Sequence, residues 1–526
     1  MNSARLLFLS LLSGVLTALS WPAIGFSPLI FIAWVPLLIA GETIFLNDGS
    51  LWKIFGLSYT GFLVWNLGAT WWVVNASFEG AIMAFVCNSA LMAGVFTLYY
   101  ALRKRIISEY PGFILCVLWM GFEYFHHWWP LSWPWLTLGN VFAEQYQLIQ
   151  WYEFTGTAGG TLWVLLINLA ILSAIKKYIS SQPINRQIRA IAIGLILPAI
   201  FSLVLYYTTE DKGKTAEIAI VQPNVDPYGI KFDRSTVVGQ FNDFFKLSAK
   251  VVTQNTDWLL GPETALVGGM DEESLADQKR IQKMKEVCGQ FPKLNILIGA
   301  ETHKFYQPGE KYPSSARHAG PNSDVIYDAY NTGLLINNSV TVYHKSKLVP
   351  GVEYLPGFLG SLSIELGGTS GTLGRQDERT IFTGRDNSQR AAPSICYESI
   401  YGDFMSTYIA GGANFIAIIT NDGWWGETPG YKQHLAYARL RAIENRRSVA
   451  RSANTGISCF INQRGDISQK LPYWEEGAII QKVHLNNDLT LFSLTGDLLG
   501  RSSLYFSGLL IILALFLRFK PKNLKQ

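Results

Sequence analysis

Long apolar runs limit what this chain can fold into more than any other feature of its sequence. Eight segments are apolar over about 20 residues, the length that carries a helix across the hydrocarbon core of a bilayer. They lie near 5–22, 27–46, 54–75, 80–102, 112–130, 159–176, 187–207 and 503–518. The first run lacks a small-x-small cleavage site and further spans follow it, so we predict a retained helix rather than a signal peptide.

Composition agrees with a membrane protein that also carries a large water-soluble part. Charged residues make up 16% of the 526 residues, against about 25% in ordinary soluble domains. The net charge of +4 gives no reason to expect nucleic-acid binding. The five cysteines lack CxxC spacing, so no zinc site is predicted, and neither a metal nor a cofactor is expected.

The distribution of basic residues predicts how the spans are oriented. Basic residues collect on one side of the predicted spans, at 103–105, 176–177 and 518–525, whereas the short loops on the other side have none. Positive residues favour the cytoplasmic side, so both termini are expected in the cytoplasm. The segment 208–500 is then expected on the opposite side, which in a bacterium is the periplasmic face of the inner membrane. This orientation requires an odd number of spans before residue 208, and the basic ends support it more directly.

The segment between the seventh and eighth runs has a different pattern. Stretches such as "AEIAIVQPNV", "LNILIGAET" and "NFIAIITNDGWWG" are typical of buried strands that run into loops. "STVVGQFNDFFKLSAKVVTQ" and "YKQHLAYARLRAIENRRS" have helical spacing. Alternating strands and helices predict an α/β domain. The predicted domains are therefore a membrane domain with about seven transmembrane helices at 1–210, an α/β domain at 211–490, and a final transmembrane helix with a basic cytoplasmic tail at 500–526.

Three stretches at predicted strand ends carry reactive side chains. Glu263 lies in "GPETAL", Lys345 in "VYHKSKLVPGVEYLPG" and Cys396 in "SICYES". Functional groups of α/β sheets gather where strands end at their carboxyl side. A thiol that attacks a carbonyl group needs a base for its proton and a donor for the oxyanion that forms. A carboxylate, an ammonium group and a thiol supply those parts.

Each of the three residues also has a structural interpretation when it is considered alone. Cys396 after "AAPSI" is typical of a packed core thiol, and position alone favours that interpretation. Lys345 alone is more typical of a solvated lysine on an edge strand. Glu263 after a proline is equally typical of a carboxylate at a helix start. The chemical hypothesis therefore depends on the three occurring together.

The order "PE", "YHKSKLVPGVE" and "CYE" resembles the carbon–nitrogen hydrolase (nitrilase) superfamily over about residues 215–485. Spans before and after this segment make the whole chain similar to bacterial apolipoprotein N-acyltransferases, the membrane branch of that superfamily. The resemblance implies an α/β fold: a multi-span helical membrane domain plus an extracytoplasmic nitrilase-like α/β/β/α sandwich. "NDGWWG" and "RSANTG" belong to the same set of motifs.

The resemblance also implies roles for individual residues. Glu263 is expected to be the proton acceptor, Cys396 the nucleophile and Lys345 the oxyanion stabiliser. Glu353, eight residues after Lys345, matches the second glutamate of the family, which orients the lysine or assists proton transfer.

Further residues are expected to support this triad or to bind substrate. Tyr397 and Glu398 follow the nucleophile as in the family, and the backbone N–H of Tyr397 is expected to be a second oxyanion donor. Trp135, Asn421 and Trp424 are expected to contact substrate.

The sequence departs from the family pattern at three places. Gly351 and Val352 stand where Phe-Gly is usual, which affects the expected shape of the loop before Glu353. In "NDGWWG", Gly423 and Trp425 stand where alanine and phenylalanine are common. An expected tryptophan near the start of the domain is missing, and Phe232 is the candidate to replace it.

The activity implied is transfer of the sn-1 acyl chain of a phospholipid, through a cysteine thioester, to the N-terminal amine of diacylglyceryl-cysteine in a lipoprotein. The expected partners are a phospholipid donor such as phosphatidylethanolamine, a diacylglyceryl apolipoprotein acceptor and the membrane. One alternative is a membrane-tethered nitrilase-type amidase that hydrolyses a small amide with water as second nucleophile. Another is a transporter or lipid-binding scaffold with an inactive domain, against which the intact triad argues.

Overall fold

A computed structural model of the chain describes residues 1–106, 110–320, 322–354 and 372–519. The chain divides into two compact units. The first unit comprises Met1–Trp71, Glu79–Tyr207 and Asp497–Gln526, and the second comprises Trp72–Phe78 and Thr208–Gly496. The predicted basic tail, with Lys520, Lys522 and Lys525, lies outside the described residues.

The first unit is helical. Its helices are α1 (Ser3–Leu19), α2 (Ile30–Ala33), α3 (Val35–Leu46), α4 (Leu51–Thr70), α5 (Phe78–Arg103), α6 (Pro111–Phe125), α7 (Tyr152–Ile179), α8 (Asn185–Thr208) and α14 (Leu498–Phe519). Each of the eight predicted apolar runs is therefore helical. The run predicted at 112–130 is α-helical only as far as Phe125, and turns follow from there to Pro130.

Five helical segments among the described residues are long and apolar enough to cross a membrane. They are Ser27–Leu46, Phe78–Arg103, Tyr152–Ile179, Asn185–Thr208 and Leu498–Leu517. The helices α1 and α6 are apolar but shorter. The chain is a membrane protein, and the number of crossings stays a prediction.

Buried aromatic rings and a few polar side chains hold the first unit together. The ring of Trp34 packs edge-on against Trp119 with centroids 4.4 Å apart, and both rings are buried. Asn168 of α7 accepts the backbone N–H of Trp34 at 3.0 Å and donates to the carbonyl of Ile30 at 2.9 Å. Such interhelical hydrogen bonds and close ring contacts are what associate helices in a bilayer, where lipid is as apolar as leucine.

The second unit contains two β-sheets. The first sheet comprises β1 (Lys214–Gln222), β2 (Trp258–Leu260), β3 (Leu266–Asp271), β4 (Asn295–Tyr306), β5 (Arg317–His318), β6 (Ile326–Ile336), β7 (Val340–His344) and β14 (Gly477–Leu485). The second comprises β8 (Phe382–Thr383), β9 (Arg390–Ile395), β10 (Phe415–Thr420), β11 (Val449–Ala453), β12 (Cys459–Ile461) and β13 (Ile467–Ser468). The order of the first is β14-β1-β2-β4-β6-β5, with β3 beside β4 and β7 beside β6, and that of the second is β13-β12-β11-β10-β9-β8.

Helices cover the outer faces of both sheets. The five helices are α9 (Val237–Ser248), α10 (Lys279–Gln290), α11 (Gly402–Ala410), α12 (Pro429–Asn445) and α13 (Leu491–Thr495). Phe244 of α9 and Met284 of α10 join a buried apolar cluster on the first sheet. The helices α11 and α12 pack together beside the second sheet. Between the sheets, Trp258 of β2 packs against Phe415 of β10 with ring centroids 5.3 Å apart. The predicted α/β/β/α sandwich is confirmed.

Strand directions bring three strand ends to one edge of the sandwich. In the first sheet, β2 and β4 are parallel, β6 is antiparallel to β4, and β7 is antiparallel to β6, so β7 runs in the direction of β2. In the second sheet β9, β10 and β11 are parallel. The segments after β2, β7 and β9 carry Glu263, Lys345 and Cys396.

Candidate active site

Glu263 lies in a loop that is fixed directly against β4. The N–H of Gly299 donates to the carbonyl of Pro262 at 3.1 Å, and the N–H of Gly261 donates to Leu297 at 2.8 Å. A Cβ atom added at Gly299 would lie 2.6 Å from the Cα of Glu263, a distance that real Cβ atoms do not tolerate. Glycine at position 299 therefore permits the approach that sets the backbone of Glu263.

Lys345 is buried between two carboxylates, in contrast to the solvated lysine that its position alone favours. Its side chain is 1% exposed, and Nζ donates to Oε1 of Glu263 at 3.1 Å and to Oε1 of Glu353 at 2.8 Å. Burial alone would lower the pKa of Lys345, but the charges of Glu263 and Glu353 raise that pKa well above its usual value. Lys345 is therefore a permanent ammonium group.

Asn331, which the sequence analysis did not single out, joins the same two carboxylates. Its Nδ2 donates to Oε1 of Glu263 at 2.7 Å and to Oε1 of Glu353 at 3.1 Å. The backbone N–H of Lys345 donates to the carbonyl of Asn331 at 2.9 Å. The polar residue inside the apolar strand "YNTGLLIN" was the only sequence signal for this position.

A tight turn after β7 delivers Glu353 to the lysine. Gly351 has a φ of +79°, which favours glycine, and its N–H donates to the carbonyl of Tyr354 at 2.8 Å. Oε2 of Glu353 accepts the N–H of Val349 at 2.9 Å, which leaves Oε1 for Lys345. The Gly351-Val352 departure from the family pattern is therefore compatible with a carboxylate that contacts the lysine.

Cys396 follows β9 directly and starts a short 3₁₀ turn, Cys396–Ile400, which we call the Cys396 turn. Its φ of +50° lies in the left-handed region that residues other than glycine rarely adopt. Burial raises the pKa of the thiol, the charge of Glu263 raises it further, and Lys345 lowers it, with the result well above the usual value. The thiol is therefore protonated at neutral pH and needs a base before it can attack.

Glu398 ties the Cys396 turn to the segment that carries the lysine. Its Oε2 accepts the N–H of Ile395 at 2.8 Å. Its Oε1 accepts the hydroxyl of Tyr343 and the N–H of Ser346, both at 2.6 Å. Burial raises the pKa of this carboxyl above its usual value, and these hydrogen bonds lower it. The role of Glu398 in this geometry is to hold two loops of the site at a fixed separation.

Lys231 is a second buried cation at the site, and the sequence analysis did not predict it. Its Nζ donates to the backbone carbonyl of Glu263 at 3.1 Å, and the residue is 1% exposed. Burial lowers the pKa of Lys231 to about 8, against the attraction of Glu263. It lies beside the proposed replacement Phe232 in "YGIKFD", a stretch that gave no sign of burial.

Aromatic side chains meet around Trp424. The ring of Phe232 stacks on Trp424 with centroids 6.0 Å apart and an interplanar angle of 18°. The hydroxyl of Tyr228 donates to the carbonyl of Trp424 at 2.6 Å. Tyr228 and Phe232 are exposed, so this cluster presents an apolar surface to its surroundings.

The structure explains the two departures in "NDGWWG". A Cβ atom added at Gly423 would lie 2.0 Å from the hydroxyl oxygen of Thr455, so alanine does not fit without a shift. The ring of Trp425 packs on Trp72 with centroids 5.0 Å apart, and its carbonyl accepts Nδ2 of Asn75 at 2.9 Å. The larger ring thus fixes the Trp72–Phe78 segment to this unit.

Two of the expected substrate contacts have different surroundings. Asn421 is buried, its Oδ1 accepts Nδ2 of Asn454 at 3.1 Å, and its own Nδ2 finds no hydrogen-bond partner among the described residues. Trp135 belongs to the first unit, where its buried ring stacks on Trp133 with centroids 5.8 Å apart. Their predicted roles, and that of Trp424, stay predictions.

The structure brings Glu263, Lys345 and Glu353 into direct contact, with Cys396 close enough for its thiol to respond to Glu263 and Lys345. No group of three or more metal-binding side chains occurs among the described residues. The arrangement supplies a base, a cation for an oxyanion and a protonated nucleophile.

Comparisons with known proteins agree with the motifs. Residues 13–170 match the apolipoprotein N-acyltransferase N-terminal domain, and residues 217–487 match the carbon–nitrogen hydrolase family. The apolipoprotein N-acyltransferase of Chlorobaculum tepidum is 30% identical over 96% of this chain and 96% of its own. That of Geobacter metallireducens is 28% identical over 97% of this chain and 95% of its own.

Solved structures similar to this chain include a mutant of the Nesterenkonia AN1 amidase from the nitrilase superfamily. It is 15% identical, with a TM-score of 0.35, and the match covers 56% of this chain and 98% of that one. The similarity to the acyltransferases extends over nearly the full length of both chains. The chain belongs to the apolipoprotein N-acyltransferase family, and it joins that family's N-terminal domain to a carbon–nitrogen hydrolase domain.

Proposed function

We propose that this chain acylates lipoproteins through a thioester on Cys396, with Glu263 as base and Lys345 as oxyanion stabiliser. Membership of the family makes the chain an N-acyltransferase with a lipid acyl donor and a lipoprotein acceptor. The observation that carries the proposed mechanism is the buried ammonium of Lys345, held by Glu263 and Glu353 beside a protonated thiol.

In the first half-reaction, Glu263 removes the proton from Sγ of Cys396 as the sulfur bonds to the carbonyl carbon of the sn-1 ester. The carbonyl oxygen becomes an oxyanion, which Nζ of Lys345 and the N–H of Tyr397 stabilise. The tetrahedral intermediate then expels the glycerol oxygen. Glu263 returns its proton to that oxygen, which leaves a thioester on Cys396 and a lysophospholipid.

In the second half-reaction, the N-terminal amine of diacylglyceryl-cysteine attacks the thioester carbonyl. Glu263 accepts a proton from the amine, the carbon–sulfur bond breaks, and the sulfur recovers a proton. The products are an amide on the lipoprotein and the free thiol of Cys396. One carboxylate therefore serves both halves, and a ping-pong order follows because the two substrates use the same site in turn.

The charges of the site suit this sequence of steps. At rest the site contains a neutral thiol, the ammonium group of Lys345 and the carboxylates of Glu263 and Glu353. Its charges therefore amount to one buried ion pair and one further carboxylate. When Glu263 takes the proton, negative charge moves to the oxyanion while Lys345 keeps its charge. The fixed cation therefore stabilises the transition state more than the resting state.

Phosphatidylethanolamine is the proposed donor, and the periplasmic side of the bacterial inner membrane the proposed location. The absence of Lys and Arg from the loops on one side of the predicted spans supports this orientation. Both substrates carry acyl chains, so anchoring in one leaflet would confine them to two dimensions and favour their encounter.

The test uses the full-length protein in detergent micelles with phosphatidylethanolamine and a diacylated lipopeptide. We expect the N-acylated lipopeptide and lysophospholipid in equal amounts, and an acyl adduct on Cys396 by mass spectrometry when the lipopeptide is left out. Cys396→Ala should abolish both products. Cys288→Ala is the matched control, because it removes a buried thiol that packs in the apolar cluster below α10.

Two results would contradict this mechanism. Full activity of Cys396→Ala would rule out a thioester intermediate on Cys396. Release of free fatty acid without an N-acylated lipopeptide would instead favour the amidase-like hydrolysis that was the alternative interpretation of the sequence.

A further inference from the structure

A buried polar cluster lies under the Cys396 turn, among residues to which neither the motifs nor the proposed mechanism gives a role. It comprises His434 of α12, Asp422 of "NDGWWG" and Arg451 of "RSANTG", each 0% exposed. Asp422 contacts Nδ1 of His434 at 3.0 Å and the guanidinium of Arg451 at 2.6 Å. Burial would raise the pKa of Asp422, but Arg451 and His434 hold it well below its usual range. Asp422 is therefore a carboxylate.

The cluster reaches the nucleophile through one backbone atom. Nε2 of His434 lies 3.1 Å from the carbonyl oxygen of Cys396. The hydroxyl of Ser399 donates to the same oxygen at 2.8 Å and lies 2.9 Å from Nε2. Because a carbonyl oxygen only accepts, the histidine contact is a hydrogen bond when Nε2 carries a proton.

The surroundings of Nδ1 are consistent with a proton on Nε2. The guanidinium of Arg451 lies 3.1 Å from Nδ1 and has only protons to donate, so it favours a neutral ring with the proton on Nε2. A doubly protonated ring, with Nδ1 donating to Asp422, would also carry a proton on Nε2. In both states His434 donates to the carbonyl of Cys396.

That carbonyl belongs to the same planar peptide group as the N–H of Tyr397, which is the proposed second oxyanion donor. The position of the oxygen fixes the direction of the N–H, because the peptide group is rigid. Donors to the oxygen also polarise the group and strengthen its N–H as a donor.

From this geometry we infer that His434 and Ser399 are positioning residues that aim and polarise the Cys396–Tyr397 peptide group for the oxyanion. The inference rests on the proposed function, since it needs the thioester mechanism. It also accounts for how Cys396 keeps its left-handed conformation, with φ of +50°, because that conformation needs support from hydrogen bonds on both sides of the residue. Glu398 holds the preceding N–H, of Ile395, and the buried cluster holds the carbonyl that follows.

The test separates formation of an oxyanion from reactivity of the thiol. Thioester formation from phosphatidylethanolamine passes through an oxyanion, whereas alkylation of Cys396 by iodoacetamide does not. Both rates are measured on the full-length protein by mass spectrometry of the peptide that contains Cys396. The variants are His434→Ala, His434→Gln and Ser399→Ala.

The matched control is Ser448→Ala. Ser448 is also buried and also donates its hydroxyl to a backbone carbonyl, that of His484 at 2.9 Å. It directly precedes β11, whose start lies at the opposite edge of the second sheet from the Cys396 turn. Ser448→Ala therefore controls for loss of one buried hydrogen bond in the same domain.

Removing a direct oxyanion donor costs about 10²–10³ in rate, so loss of a group that acts through the peptide should cost less, about tenfold for His434→Ala. We expect this loss in thioester formation and in kcat, with KM for the lipopeptide and the alkylation rate unchanged. His434→Gln should recover part of the rate, because its amide can donate from near the position of Nε2. Ser399→Ala should lose less than His434→Ala, and Ser448→Ala nothing.

Two patterns would overturn the inference while leaving the proposed function in place. One is wild-type thioester formation in all three variants. The other is an equal loss of thioester formation and alkylation, which would mean that the cluster only stabilises the fold. His434→Gln and Ser399→Ala keep the test decisive where His434→Ala does not accumulate. Absence of any thioester in the wild-type protein would contradict the proposed function and, with it, this inference.

Discussion

Replacing Lys345 with methionine tests whether the lysine offsets the repulsion between two buried carboxylates as well as stabilising an oxyanion. The change keeps the length of the side chain and removes its charge. Oε1 of Glu263 and Oε1 of Glu353 both bind Nζ, so these oxygens are at most about 5.9 Å apart, the sum of the 3.1 Å and 2.8 Å bonds. The side chains of Glu263 and Glu353 are 8% and 12% exposed, so solvent screens the pair little.

The magnitude follows from Coulomb's law. At an effective dielectric constant of about 20, two charges about 5.9 Å apart repel by about 2.8 kcal/mol. In the wild-type protein the ammonium group of Lys345 offsets this repulsion, and methionine leaves it uncompensated. Removing one partner of a buried ion pair costs about 3–5 kcal/mol, so we expect a loss of that size in the free energy of unfolding. A second substitution, Glu353→Gln, removes one of the two charges and should recover about 2.8 kcal/mol of that loss.

The assays are the unfolding of the full-length protein and kcat/KM for N-acylation, each measured for Lys345→Met with and without Glu353→Gln. We expect Lys345→Met to lower kcat/KM by about 10²–10³, from the lost oxyanion donor, and Glu353→Gln to restore stability but not the rate. Lys304→Met is the control, because it removes a cation from an exposed ion pair with Glu310. No gain in stability from Glu353→Gln in the Lys345→Met background would refute the claim that Lys345 offsets the repulsion between the two carboxylates.

Three further predictions test how the site is built. Gly299→Ala should lower kcat, because the new Cβ would lie 2.6 Å from the Cα of Glu263. Gly239→Ala is its control: the position is in open space on α9, so thermal unfolding should show a gain in stability of about 0.5–1 kcal/mol. Glu398→Gln should reduce stability by about 1–3 kcal/mol, because an amide cannot accept at both ends and leaves a buried donor unpaired. Alkylation of Cys396 should be slow at neutral pH and increase as the pH rises, since burial and Glu263 raise the thiol pKa; a rate independent of pH would contradict a protonated resting thiol.

The sequence allowed the triad to be placed because each of its members lies within three residues of the end of a strand that has a clear apolar pattern. The strands β2, β7 and β9 were recognisable from short apolar runs, and their ends carry Glu263, Lys345 and Cys396. Pairing between strands is a non-local property, however, and the sequence alone did not show that β7 runs in the direction of β2. The motifs supplied by family resemblance bridged that gap.

Single-residue arguments failed where burial depends on distant parts of the chain. Lys345 alone was more typical of a solvated lysine, yet it is 1% exposed because Glu353, from the following turn, and Glu263, from another strand, meet around its ammonium group. Lys231 is buried in the same way, against the carbonyl of Glu263. Local sequence contains no information on such partners, so hydropathy patterns place these lysines in solvent.

The sequence could have indicated that Asn331 is unusual, but only the structure shows its hydrogen-bond partners. An asparagine inside an apolar strand is a warning, because a buried amide needs hydrogen-bond partners. Its Nδ2 donates to both Glu263 and Glu353, so the amide binds the same two carboxylate oxygens as the ammonium group without adding charge. This position requires a neutral donor, because a cation here would repel Lys345 and compete with it for the two carboxylates. A carboxylate here would instead repel both glutamates. Asn331 therefore holds both carboxylates in place and leaves the charge of the site unchanged.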